Sequence, residues 1–146
     1  MMTLRQIVLF AVILALPIIC HAQRETGVDT GAVRSSPAYA EILLRKTELQ
    51  ADLEIYSADY TETNPKLLDI RFELEALDRE MERLFAVKPA GTSKLTLALG
   101  KLMVRKTAIA TELNRLNRSY SKDHPEVKRT AKKVEIFESA IKEILR

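Results

Sequence analysis

Apolar side chains recur through most of the chain in alternating steps of three and four residues. Leu67, Ile70, Leu74, Leu77, Met81 and Leu84 form one such row, and Val127, Thr130, Val134, Phe137, Ile141 and Ile144 repeat its steps. Two further rows precede these: Ile42, Lys46, Leu49, Leu53, Tyr56 and Tyr60, then Leu99, Leu102, Lys106, Ile109, Leu113, Leu116 and Tyr120. A period averaging about 3.5 residues is that of a coiled-coil seam, narrower than an ordinary amphipathic face. The rows predict four helices of about 20–28 residues, or ~30–42 Å at about 1.5 Å per residue.

The breaks between the rows carry helix-start chemistry. Thr63-Asn64-Pro65 and Asp123-His124-Pro125 place a capping residue before a proline. Proline suits the first helical position, because the N–H it lacks would have no partner there. The residue before a proline is pushed out of the helical region, so each preceding helix must end first. Ser36-Pro37 starts the first helix by the same logic, and residues 86–93, with Pro89 and Gly91, separate the two pairs. Thr92 or Ser93 is the expected cap of the third helix. The pattern predicts an all-α chain of two tandem antiparallel coiled-coil helical hairpins, at residues 36–86 and 94–146, joined by a linker at 87–93.

The two pairs are also copies. Without a gap, residues 40–86 overlay 100–146 with 7 identities in 47 positions, among them Arg45-Lys46-Thr47 on Arg105-Lys106-Thr107, Tyr60 on Tyr120 and Pro65 on Pro125. The apolar rows correspond almost throughout, and self-similarity at a fixed period marks a duplicated supersecondary unit.

The N-terminus has a different pattern. Arg5 precedes an unbroken apolar run over residues 7–19, followed by Cys20-His21-Ala22-Gln23. A single cation, a short apolar core and small residues at the −3 and −1 positions describe a secretory signal peptide at residues 1–22, cleaved after Ala22. The run falls short of the ~20 residues of a bilayer span. The alternative, a retained or lipidated anchor, would use Cys20, but Ile19 is a poor residue to precede such a cysteine. Residues 23–35 show no apolar periodicity and read as a flexible lead. The expected location is the periplasm or the exterior. Loss of the lone cysteine with the signal suits an oxidising compartment.

Composition narrows the function classes. The 146 residues include 29% charged and only 5% aromatic side chains, with one Cys, two His and no Trp. That excludes a disulfide framework and leaves little for a metal centre. No nucleophile–base pair or phosphate loop is visible, so the chain reads as non-enzymatic, without catalytic residues, cofactor or metal. The formal net charge of +3 hides a segregation: residues 41–86 hold 6 basic and 12 acidic groups, and residues 101–146 hold 12 basic and 6 acidic. Opposite fields favour pairing of the two halves, within a chain or between chains. The rival is an anionic membrane surface or polysaccharide for the basic half. Export argues against nucleic acid.

Three groups of residues stand out. Lys46 and Lys106 occupy seam positions that call for leucine, and a polar residue there sets register at a cost in stability. Their stems are expected to lie along the apolar face with the ammonium in water, so Lys106→Leu would raise the melting temperature. Tyr60, Asn64 and Pro65, with Tyr120, His124 and Pro125, mark the two hairpin turns. His124 stands where the first copy has the capping Asn64. Ile55, Leu68 and Phe72 become Arg115, Lys128 and Lys132 in the second copy. Extra apolar residues beyond a seam make this patch the candidate interaction surface.

The stretch Tyr120-Ser121-Lys122-Asp123-His124-Pro125-Glu126-Val127 resembles the periplasmic coiled-coil region of polysaccharide chain-length determinant (Wzz-like) and exopolysaccharide co-polymerase proteins. In that family a Tyr, a polar stretch and a His-Pro-x-Val turn join two long helices. Tyr60 to Leu67 is a variant with Asn for His. The resemblance covers about 35 residues per copy. It implies the hairpin, an envelope location and a role accessory to polysaccharide assembly. The flanking transmembrane helices of that family have no counterpart in this sequence. The expected function is an exported structural and protein-interaction module of the envelope, with itself as a homo-oligomer or an envelope protein as partner. The alternative is a small periplasmic holdase-type chaperone, a class also short, basic and built on helical arms.

Overall fold

The structure is a computed structural model that describes residues 30–146. The expected signal peptide and most of the expected lead lie outside the described residues. Every regular element among the described residues is helical: α1 (Thr30–Arg34), α2 (Pro37–Asp59), α3 (Pro65–Phe85), a 3₁₀ helix (Pro89–Lys94), α4 (Leu97–Ser119) and α5 (Pro125–Leu145). None of these helices is long and apolar enough to cross a membrane.

Each long helix starts on a side-chain cap. Ser36 Oγ accepts from the Tyr39 N–H at 3.2 Å, and Asn64 Oδ1 accepts from the Lys66 N–H at 2.9 Å. Thr96 Oγ1 accepts from Leu99 N–H at 3.3 Å, and His124 Nδ1 from Glu126 N–H at 3.2 Å. Proline opens α2, α3 and α5, where its missing donor costs nothing. The cap of α4 is Thr96, not Thr92 or Ser93. Those two residues are taken into the 3₁₀ turn, where the Thr92 hydroxyl donates to the Pro89 carbonyl at 3.0 Å.

A second difference lies at the start of the described chain. Residues 30–34 form a helical turn whose Val33 is fully buried. It packs against α2, α3 and the 3₁₀ helix. A single valine carries no periodicity, so nothing local announced that this segment closes the end of the core.

α4 is the hub, packing against α2, α3 and α5, whereas α5 leans mainly on α4. α2 and α4 begin side by side: the Ala38 N–H donates to the Leu95 carbonyl at 3.2 Å, and Gly100 lies against Ala38. α3 runs the other way along α4, with Glu80 beside Lys106 and Asp69 beside Arg118. Both turns, at residues 60–64 and 120–124, therefore lie at the same end. The core gathers at the opposite end, where Val33, Ala38, Ile42, Leu84, Leu95, Leu99 and Met103 join Ile141 from α5. Each such large side chain contributes about 1.5–3 kcal/mol through burial.

Gly100 sets the approach of α4 to α2. A Cβ there would stand 2.9 Å from the Ala38 Cα, 2.9 Å from the Glu41 Cβ and 3.0 Å from the Ala38 carbonyl oxygen. Gly100→Ala gains about 1 kcal/mol of helix propensity but overpacks a backbone contact, which costs about 1–3 kcal/mol. The expected net result is a lower urea midpoint with an unchanged slope. A raised midpoint would show that the helices separate without penalty.

Candidate functional site: a charged seam

Each seam lysine ends on a carboxylate of the neighbouring helix. Lys46 on α2 pairs with Asp78 on α3. Lys106 on α4 pairs with Glu138 on α5 at 2.9 Å and also with Glu80 on α3. The pairs Lys46–Asp78 and Lys106–Glu138 are each 32 residues apart and coincide under the 60-residue shift. Both copies thus carry the same cross-seam ion pair. The second copy adds Glu80, whose counterpart in α5 is Ala140.

Lys106 sits at the centre of a cluster reaching three helices. Its side chain is 14% exposed and that of Glu80 only 7%. Arg83 reaches Glu138 at 3.1 Å and approaches Glu80 Oε2 at 3.7 Å, and this buried oxygen accepts no hydrogen bond. Burial pulls the Glu138 carboxyl upward, but the hydrogen bonds and charges of Lys106 and Arg83 outweigh it. Its pKa falls from 4.5 to about 2. Around the cluster, Arg45 donates to Glu73 at 2.8 Å and Arg118 pairs with Asp69. The hydrogen bond to Glu73 is also the main reason the Arg45 pKa is raised.

Other singled-out residues lie elsewhere. At the first turn Tyr60 is exposed and its ring lies 5.9 Å from that of Tyr56, over which Lys66 Nζ sits at 3.4 Å. At the second, Tyr120 stacks on the capping His124, with ring centroids 4.3 Å apart. Pro65 and Pro125 begin the helices that leave these turns. Of the patch residues, Ile55 on α2 and Leu68 on α3 are exposed and Phe72 is half-buried. Among the described residues no group of three or more His, Cys, Asp or Glu side chains is placed to hold a metal ion.

Sequence reasoning missed the carboxylates. Asp78, Glu80 and Glu138 lie among ordinary charged positions, and only the alignment of Asp78 with Glu138 opposite the aligned lysines signalled a conserved pairing within the chain. Glu80 had no such signal, because its partner comes from the other copy.

The cluster reverses the expected sign of Lys106→Leu. Removing the ammonium leaves Glu80 buried with Arg83 as its nearest cation, and stranding one partner of a buried pair costs about 3 kcal/mol. The variant should therefore melt below the wild type; melting above it would contradict the account. For Glu138, a folded pKa below the unfolded value means its contribution is complete above about pH 4.5 and is lost as pH falls toward about 2. Thermal melts through that range should fall more steeply for the wild type than for Glu138→Gln. Parallel curves would deny the cluster its charge.

Comparison of the chain with protein-family models, with curated proteins and with solved structures gives no match.

Proposed function

We propose that this chain is a non-enzymatic structural and protein-interaction module of the cell envelope, built as two tandem coiled-coil hairpins. The observation that carries the reading is the character of the outer helix faces. Leu43, Leu44 and Ile55 on α2, Leu68 on α3 and Ile136 on α5 are exposed among dense charges. Apolar side chains standing on charged faces of rigid helices suit contact with another protein. The turns at one end add a second presentable surface, with Tyr60 and Tyr120 both exposed. The envelope location is supported by the signal-like pattern of residues 1–22. A role accessory to polysaccharide assembly is supported by the resemblance around Tyr120 to Val127.

The test has two parts. Mass spectrometry of the chain recovered from the envelope fraction should show a new N-terminus at Gln23; an intact Met1 in the cytosol would contradict export. The purified chain should leave the aggregation of a denatured client unchanged. Stoichiometric suppression of aggregation would favour the holdase reading instead.

A further inference from the structure

A shift of 60 residues carries α2 onto α4 and α3 onto α5, so every surface used where the halves meet has a counterpart elsewhere. α4 turns inward a face that includes Gly100, Met103, Thr107 and Thr111, all buried. The counterparts on α2 are Ala40, Leu43, Thr47 and Ala51, and all four are exposed. On α3, Glu80 pairs with Lys106 of α4, and Glu73, Ala76 and Glu80 are all buried. Their counterparts on α5 are Lys133, Ile136 and Ala140; the first two are exposed and the third half-buried.

The exposures are large where the chemistry is apolar: Leu43 is 44% exposed and Ile136 is 58% exposed, whereas Met103 and Ala76, their counterparts at the internal joint, are 0% and 7%. On the same half a groove of about 310 Å³ opens between α4 and α5, lined in part by Ile109, Glu112 and Lys133. In the first half Leu49 and Glu73, the counterparts of half-buried Ile109 and exposed Lys133, are buried. The described residues thus form one occupied joint and leave one inserting face and one receiving face exposed.

We propose that copies of this chain assemble head to tail, the α2 face of one seating on the α4–α5 face of the next, as α4 seats on α2 and α3 within a chain. The inference rests on the interaction-module reading and names its partner. Charge complementarity supports this occupant. At the internal joint the receiving helix is acidic and the entering one basic, as Asp69–Arg118 and Glu80–Lys106 show. At the free faces the receiving helix is basic instead of acidic, while on the entering helix Lys46 keeps the sign of Lys106 and is paired within its own chain with Asp78. Arg129 and Lys133 stand exposed on α5 where α3 has Asp69 and Glu73, and Glu54 stands exposed on the α2 face that carries Leu43, Thr47 and Ala51. Basic α5 also repels the wrong insertion, since α4 of another chain would bring Arg118 against Arg129, where α2 brings Ala58. Arrays of repeats normally end in polar capping surfaces. These two ends carry leucine and isoleucine instead. Two different faces meeting in this way make a ring if the rotation closes and a filament if it does not.

Sedimentation velocity of the full chain tests this. The wild type should associate increasingly with concentration and less at high salt. Leu43→Glu and Ile136→Glu each alter an exposed position, so both should keep the wild-type circular dichroism and melting curve while sedimenting as monomers. Each retains one intact face, so an equimolar mixture should form a dimer and stop there. Lys133→Glu should likewise be monomeric, and adding Glu54→Lys should restore association. A wild type that stays monomeric overturns the proposal. Variants that still associate, or a mixture that stays monomeric, overturn it as well. None of these outcomes touches export or client aggregation, so the proposal can fail while the module reading stands.

Discussion

A lysine ammonium held between carboxylates from two neighbouring helices organises this molecule. Lys106 stands in the middle of α4, the helix that touches all the other long helices, and it engages Glu80 on one side and Glu138 on the other. At the end of the helices near Gly100, α4 is located by apolar packing and by the close approach to Ala38. Toward the turns the core thins, and the seam must be kept in register by something directional. A buried ion cluster adds little net stability over apolar residues of the same shape, but any shift in register would strand its charges. That asymmetry fixes geometry where leucine against leucine could slide.

The 60-residue correspondence separates what the two halves share from where they diverge. The apolar rows, the turn prolines Pro65 and Pro125, the side-chain caps and the cross-seam lysine–carboxylate pair are common to the two copies. The charges around them are not: Glu73 becomes Lys133, Asp69 becomes Arg129 and Phe72 becomes Lys132. Two identical units would bury the same faces with no preference for which copy enters which. Opposite charge on α3 and α5 removes the degeneracy, and α4 then has one place to go.

The long helices were legible because each is specified locally. Ser36-Pro37, Asn64-Pro65 and His124-Pro125 start helices through caps and fixed backbone angles that need no tertiary partner. The start of α4 was misplaced because Thr92, Ser93 and Thr96 are all acceptable caps. The choice among them depends on the 3₁₀ turn and on Leu95 being drawn into the core. Val33 was illegible for the same reason. The seam lysines were visible, but their surroundings were not, since Glu80 reaches Lys106 only through the packing of α3 on α4. An isolated lysine in an apolar row looks like a defect to be relieved; within its cluster it is a partner whose removal leaves a buried charge.

The central claim is that Lys106 and Glu80 act as one unit joining α3 to α4. A double-mutant cycle with Lys106→Met and Glu80→Gln, followed by urea unfolding, measures this directly. The account predicts that each single change destabilises and that the double variant recovers part of the loss, with a coupling of about 2 kcal/mol. Losses that add to within about 0.5 kcal/mol would show that the two side chains are independent and that the register is set elsewhere.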